Sequence, residues 1–177
     1  MICNKKQNAK RGISLIEIVI YVALLGGVSV LIANFLIQTV NAYQRAYAER
    51  EVISNARLML ENINKSIGQA NEVYAPTSRF NQDLGQLSLI TQLNTTVGHT
   101  TAYVDFWVDN GRLWTRQEGG GETAISAASV RVVKFHLEQI AQGLNREAVK
   151  VTIQVDSASR FLTSITLNST TAIRGNY

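Results

Sequence analysis

Residues 13–37, ISLIEIVIYVALLGGVSVLIANFLI, contain a single charge, Glu17, in 25 consecutive positions. A helix of that length reaches about 37 Å at roughly 1.5 Å per residue, enough to cross a bilayer core of about 30 Å with some tilt. Lys5, Lys6, Lys10 and Arg11 stand just before the run, with no acidic residue among the first twelve. The positive-inside rule therefore places residues 1–12 in the cytoplasm and the chain from about residue 40 outside. An ordinary secretory signal has an apolar run of roughly 7–15 residues followed by a small-x-small cleavage site. Here the run is longer, carries a carboxylate near its start, and passes without a break into a polar helical stretch. The expectation is a single-pass membrane protein whose bulk is exported.

Glu17 is the costly feature of this segment. A carboxylate at the centre of a membrane helix costs about 2.5–3.5 kcal/mol on insertion scales, so such groups pair or sit near an interface. One reading has Glu17 reach the cytoplasmic interface beside Arg11. Burial physics alone leaves that reading and a paired carboxylate both open. Gly26 and Gly27, midway along the run, read either as sites of close helix packing or as a weak point where helices loosen.

The order of a short basic leader, Gly12, Ile13, Ser14-Leu15-Ile16-Glu17 and a long apolar helix resembles the prepilin-type N-terminus of type IV pilins and type II secretion pseudopilins. The resemblance is close over roughly residues 5–37. It implies that a prepilin peptidase cuts after Gly12 on the cytoplasmic side and methylates the new terminus at Ile13. It also implies that the apolar helix stays in the mature protein. Two departures stand out: Ile13 occupies a position where the family most often has Phe, and Asn34 one where it often has Pro. The resemblance gives Glu17 an assembly role. Its carboxylate would meet the N-terminal ammonium of a neighbouring subunit, fixing axial register more than adding stability. The implied partners are the peptidase, other pilin or pseudopilin subunits, an inner-membrane assembly platform and membrane lipid.

Beyond residue 37 the apolar positions become one-sided. Ile53, Ala56, Leu60, Ile63, Ile67, Ala70 and Val73 recur at steps of three and four, with Arg50, Glu51, Arg57, Glu61, Lys65 and Glu72 largely between them. Such a stripe ahead of a β-rich region predicts a helix that covers a sheet. With Pro76 as the stop, the helix is expected from about Ser14 to Tyr74. From residue 80 the period falls to two. Leu87 and Leu89 alternate with polar neighbours, as do Ala102, Val104, Phe106 and Val108, before an Asn110-Gly111 hairpin turn. A break at Gly119–Gly121 precedes a strand with Val133, Phe135 and Leu137 on one face. Val149, Val151, Ile153 and Val155 form the cleanest alternation, and a last strand is expected near 161–173 with Phe161, Ile165 and Leu167 on one side.

One very long helix followed by five or six strands predicts an α+β fold, with the helix packed on an antiparallel β-sheet. The resemblance to pilins implies the same layout. The expected organisation is a leader at 1–12, a membrane and assembly half of the helix at 13–37, an amphipathic outer half at 38–75, and an exported sheet domain at 76–177. The stretches RLMLENINKSIGQANEV and FWVDNGRLWTRQ look most like minor members related to the J-type pseudopilin and the W-type minor pilin.

Catalysis has little support. His99 and His136 belong to no metal-ligand spacing, and His136, sharing a face with Lys134, reads as a plain exposed strand residue. No GxSxG elbow surrounds Ser126 or Ser129, and the glycines at 119–121 lack the Gly-Lys-Ser/Thr of a phosphate loop. Asp105, Asp109, Glu118 and Glu122 flank the hairpin without the alternate-position spacing of a calcium loop, so they read as solvated charges. No catalytic residue, metal site or cofactor is expected. Cys3 is the single cysteine, so the exported part must fold without an internal disulfide.

The net charge of +4 resides in the leader, since acids and bases balance over the rest. With no basic stripe downstream, nucleic acid is not an expected partner. The function expected is that of a minor pilin or pseudopilin, a structural subunit of a type IV pilus or related filament, at its tip or in initiation. One alternative is a pseudopilin of a periplasmic type II secretion pseudopilus. Another, of a different class, is a membrane-anchored adhesin or DNA-uptake module, with Tyr103, Trp107 and Trp114 as its aromatic surface.

Overall fold

The computed structural model describes residues 14–95, 98–141 and 147–174; the expected processing residues Gly12 and Ile13 lie outside the described residues. Among the described residues one helix, α1 (Leu15–Gln69), is followed by eight strands: β1 (Glu72–Val73), β2 (Gln86–Thr95), β3 (Gly98–Asp109), β4 (Arg112–Gln117), β5 (Glu122–Ala124), β6 (Val130–Ala141), β7 (Glu147–Ser157) and β8 (Ser164–Ala172). The chain divides into two compact units, one up to Tyr43 and one from Gln44. In the first, α1 is exposed on every side. In the second, α1 packs against antiparallel sheets, which makes the fold α+β as expected.

The first half of α1 is rich in Ile and Val, residues of modest helix propensity. The helix persists because its backbone groups bond within the segment, the arrangement an apolar surrounding demands. Two hydroxyls do the same: Ser29 Oγ donates to the Leu25 carbonyl at 2.7 Å and Thr39 Oγ1 to the Phe35 carbonyl at 2.8 Å.

In the second unit, Ala48, Val52, Ala56, Met59, Ile63 and Ile67 are the buried helix positions. This row is turned slightly from the expected stripe. Ile53 and Leu60 are half-buried, whereas Val52 and Met59 are fully enclosed. Both rows satisfy a helical period, and only the sheet beneath decides which is centred. The helix also ends earlier than Pro76 suggests. Gln69 is its last residue, the Asn71 amide donates to the Ile90 carbonyl at 2.8 Å, and the Tyr74 amide donates to the Ser88 carbonyl at 2.9 Å. Pairing with β2 thus captures residues 71–74, and Pro76 falls in the turn beyond. The sheet region accordingly begins at Glu72, ahead of the expected boundary at 76.

The strands form two sheets where one was expected: a five-stranded meander, β1-β2-β3-β4-β5, and a three-stranded sheet, β6-β7-β8. All strand pairings within them are antiparallel. The β3–β4 turn is as expected, with Asn110 at φ 50° and Gly111 at φ 72°, both in the left-handed region that a two-residue type I′ turn requires. Leu87, Leu89, Phe106 and Leu113 from the meander share one core with Phe135, Leu137, Val149, Val151, Ile153 and Val155 from the second sheet and with the buried row of α1.

The sheets meet where residues 81–85 run beside β6. The Phe135 amide donates to the Asp83 carbonyl at 2.6 Å, the Gly85 amide to the Phe135 carbonyl at 2.8 Å, and the Asn81 amide to the Leu137 carbonyl at 2.9 Å. A Cβ added at Gly85 would stand 2.7 Å from the Arg79 carbonyl oxygen and 3.1 Å from that of Phe135, so only glycine allows this approach. The register of β6 shifts between Val132 and Lys134. A bulge of this kind changes which alternate residues face inward. Val130 and Val132 are therefore buried and Val133 is 42% exposed, contrary to the expectation that Val133 shares a face with Phe135 and Leu137. The last strand starts at Ser164, later than expected, so Phe161 lies in the bend before it while Ile165 and Leu167 line its half-buried face.

Unfolding measurements test the bulge. Val132→Thr is expected to destabilise by about 1–3 kcal/mol through a buried hydroxyl, whereas Val133→Thr stays within about 0.5 kcal/mol of the parent. Equal effects would place the inward face wrongly. Gly85→Ala is expected to cost about 1–3 kcal/mol by forcing residues 81–85 away from β6, again read from the unfolding midpoint.

Candidate functional site

The Ser14 carbonyl accepts the amides of Glu17 at 3.0 Å and Ile18 at 3.3 Å, which opens α1 and sets Glu17 in its first turn. A carboxylate there is favoured by the helix dipole. Its surroundings are otherwise apolar and uncovered: Leu15 is 80% exposed, and Ile16, Ile18 and Ile20 are each more than half exposed. The Tyr21 hydroxyl, one turn on, stands 3.5 Å from Glu17 Oε1, a weak contact within the helix. Among the described residues no cation lies within salt-bridge distance of Glu17. The lone acid is therefore displayed on the helix surface.

Helix α1 is the one described helix long and apolar enough to cross a membrane, with a mean hydropathy of 2.5 over its most apolar 18-residue window. None of that window is buried within the chain. A helix apolar all round, rather than along one stripe, requires lipid or other apolar helices around it. At Gly26 and Gly27 an added Cβ would meet nothing within 4 Å. Neither glycine is required by packing inside the chain. Both reduce the local bulk of the helix and lower its propensity by about 1 kcal/mol each relative to Ala.

The side chains singled out on the sheets do not gather into one centre. Arg116 spans Asp105 at 3.3 Å and Glu122 at 3.8 Å. Glu118 Oε2 accepts the Tyr103 amide at 3.2 Å, and Asp109 accepts the Asn110 side-chain amide at 3.0 Å. Each acid of the hairpin thus has a local partner, with Asp105 and Glu122 sharing Arg116. Among the described residues no group of three or more His, Cys, Asp or Glu side chains is arranged to hold a metal ion. Trp107 and Trp114 face each other across β3 and β4. The Arg112 guanidinium lies 5.4 Å from the Trp114 ring centroid and that of Arg116 6.0 Å from Trp107, so the indoles are flanked by cations from their own hairpin. Such contacts stabilise the sheet directly.

His136 differs from the plain exposed residue that strand alternation suggests. Its side chain is 22% exposed, and Nδ1 lies 3.0 Å from the Gln82 carbonyl oxygen. Lys134–Asp83 at 3.1 Å and Lys150–Glu138 at 3.1 Å flank it. The cluster fastens residues 82 and 83 to β6. His99 occupies β3 opposite Asn94. Ser126 and Ser129 have structural contacts: Ser126 Oγ accepts the buried Leu113 amide at 3.0 Å, and Ser129 donates to Glu51 on α1. A cleft of about 780 Å³ between the end of α1 and the meander is lined by Ser66, Gln69, Thr91, Gln92, Gln117 and Thr123 among others, with no titratable side chain.

The polar ties between α1 and the sheets were not foreseen from the sequence. Asn55 Oδ1 accepts the Ala127 amide at 3.1 Å, Asn64 Nδ2 donates to Ser169 Oγ at 2.9 Å, and Asn64 Oδ1 accepts from Thr171 at 3.0 Å. Their sequence signal is an Asn within a helix, a residue that propensity disfavours there. Comparison of the chain with protein-family models, curated proteins and solved structures gives no match.

The open surroundings of the two glycines yield a test. Gly26→Leu and Gly27→Leu are expected to leave the helicity of the detergent-solubilised chain unchanged or raised, measured by circular dichroism. Reduced helicity would mean that the glycines serve the chain's own fold.

Proposed function

We propose that the chain is a minor pilin or pseudopilin, a non-catalytic structural subunit that a prepilin peptidase processes and that joins a type IV pilus or related filament. The observation that carries this reading is Glu17. It is a lone carboxylate five residues beyond Gly12, in the first turn of a helix whose surface is apolar and uncovered. Such an acid is costly in lipid unless a cation meets it. Cleavage after Gly12 would create an ammonium at Ile13, and the ammonium of one subunit could neutralise Glu17 of the next. The continuous passage of α1 from this segment into the core of a sheet domain supports the same reading, because a cut beyond residue 37 would divide the helix.

In this reading the protein is a single-pass inner-membrane protein with its sheet domain exported, and it becomes part of a periplasmic or cell-surface filament on assembly. Its partners are the peptidase, other pilin or pseudopilin subunits, the assembly platform and membrane lipid. Pilus and secretion roles both use this chemistry.

Mass analysis of the membrane-bound protein, in cells with and without the peptidase, tests the proposal. The expected terminus is Ile13 in the first case and the uncut leader in the second; a cut after residue 37 overturns it. Glu17→Val is expected to be cleaved normally but lost from filaments, because it leaves a neighbour's buried ammonium unpaired at a cost of about 3–5 kcal/mol. Quantifying the variant in sheared filament fractions reads that loss.

A further inference from the structure

The inward face of the meander changes character along its length. At one end Leu87, Phe106 and Leu113 meet the core. At the other the same face carries Thr91, Thr115, Gln117 and Thr123. Thr91 stands opposite Ala102, Gln117 opposite Val104, and Thr115 opposite both Phe106 and Thr123. Residues directly opposite one another share a face, so these polar side chains lie on the side of the buried Ala102 and Phe106. With Ser66 and Gln69 from the last turns of α1 they line the cleft of about 780 Å³, and Leu89 and Val104 complete its wall. That volume falls within the roughly 300–1,000 Å³ of small-molecule sites. On the core-facing side of a sheet, hydroxyls and carboxamides need hydrogen-bond partners. Among the described residues, Thr91 is the one of these six side chains with a partner in the chain, the Gln69 carbonyl at 3.4 Å.

This lining selects a ligand by its chemistry. Hydroxyls both donate and accept, and each carboxamide offers a carbonyl oxygen and two N–H donors. No lining side chain titrates. A charged ligand would therefore enter without a counter-charge, and an apolar one would leave these groups unpaired. A dense set of hydroxyls on a carbon framework meets both conditions, its O–H groups matching the polar lining and its C–H surface meeting Leu89 and Val104. Beyond the turn at residues 119–121, a second hollow of about 440 Å³ shares Gln117 and Gly120 with the cleft and is lined by Tyr74, Tyr103, Asp105 and Arg116. Its tyrosine ring centroids lie 5.0 Å apart with the rings at 67°, and Arg116 pairs with Asp105 at 3.3 Å. Aromatic rings beside a planar ion pair suit a sugar ring, apolar on its C–H faces and polar at its rim. A peptide strand instead needs a run of free backbone groups, and the adjoining edge strand β5 has three residues.

We propose that the cleft and the adjoining hollow bind a neutral oligosaccharide, one sugar residue held by Thr115, Gln117 and Thr123 and the next by Tyr74 and Tyr103. The site is built within the second unit and requires neither Glu17 nor processing at Gly12, so it stands apart from the filament reading. Of Tyr103, Trp107 and Trp114, only Tyr103 lines it. The charges of the hollow disfavour an anionic sugar. Asp105 and Glu118 both line it, and its one guanidinium, Arg116, is already shared between Asp105 and Glu122. Gly121 stands on the rim of the cleft, where an added Cβ would meet nothing within 4 Å. Its missing side chain therefore leaves the rim open without serving the packing of the chain.

Calorimetric titration tests the proposal on the full chain, purified in a detergent without a sugar headgroup. The probes are maltotriose, cellotriose, mannotriose and triacetylchitotriose, with the acidic trigalacturonate and a neutral Gly-Ser hexapeptide as contrasts. At least one neutral sugar is expected to bind saturably with a Kd below about 1 mM, and neither contrast is expected to bind. Thr115→Val and Thr123→Val each remove one hydroxyl at nearly constant shape, and each is expected to weaken sugar binding about 3- to 10-fold. Thr170→Val, on the exposed face of β8, is expected to leave it unaltered. Gly121→Phe fills the rim and is expected to abolish binding with the unfolding midpoint unchanged, which keeps the test sharp even where a Thr variant alters stability. Four neutral sugars that all fail to bind overturn the proposal, as does binding indifferent to the Thr115, Thr123 and Gly121 variants. Tighter binding of trigalacturonate, or of the peptide, overturns it too. None of these outcomes touches the filament reading.

Discussion

The buried row of α1 is the contact on which the fold of the second unit depends. Val52, Ala56, Met59, Ile63 and Ile67 are fully enclosed, and they lie in the same core cluster as side chains from both sheets. At about 1.5–3 kcal/mol for each large apolar side chain buried, this row supplies a substantial part of the cohesion. The helix whose first half is apolar enough to cross a membrane is thus also the central element of the folded domain. If the chain is drawn into a filament by its apolar half, the sheets must follow, because the same helix is built into their core.

Polar contacts specify how that helix is seated. Apolar packing tolerates rotation of a helix by part of a turn, as the two overlapping rows around Ile53 and Val52 show. Asn55 and Asn64 narrow the choice, because each reaches a defined partner on the sheet side: the Ala127 amide in one case, Ser169 and Thr171 in the other. Rotation would leave these groups unpaired where they are partly buried, at about 1–3 kcal/mol each. The helix therefore has one favoured rotation even though its pattern permits two.

Periodicity made the main elements legible. The alternation of Val149, Val151, Ile153 and Val155 marks β7, Asn110-Gly111 marks the β3–β4 turn, and the three-four spacing marks α1. What the pattern missed depends on distant partners. Pro76 is a strong helix breaker, yet the helix stops at Gln69 because β2, more than ten residues later, claims the intervening backbone. Val133 looks inward by alternation and is turned out by a bulge whose cause lies in pairing with β7 and residues 81–85. The division into two sheets was illegible for the same reason: strand spacing reveals hairpins but not where a ladder is interrupted.

The candidate site shows the opposite balance. Glu17 is conspicuous in sequence because a charge interrupts an apolar run, and the structure adds that nothing else in the described chain neutralises it. That pairing is intermolecular in the proposed reading, so one chain by itself can display the carboxylate but not its partner. The free edge of β8 has the same character: five amides and five carbonyls are aligned and uncovered, with no charge to repel a neighbour. Both features are costs for an isolated subunit, one of charge in lipid and one of an open sheet edge. In the proposed filament reading, association would relieve the first, because a neighbour's ammonium would neutralise Glu17.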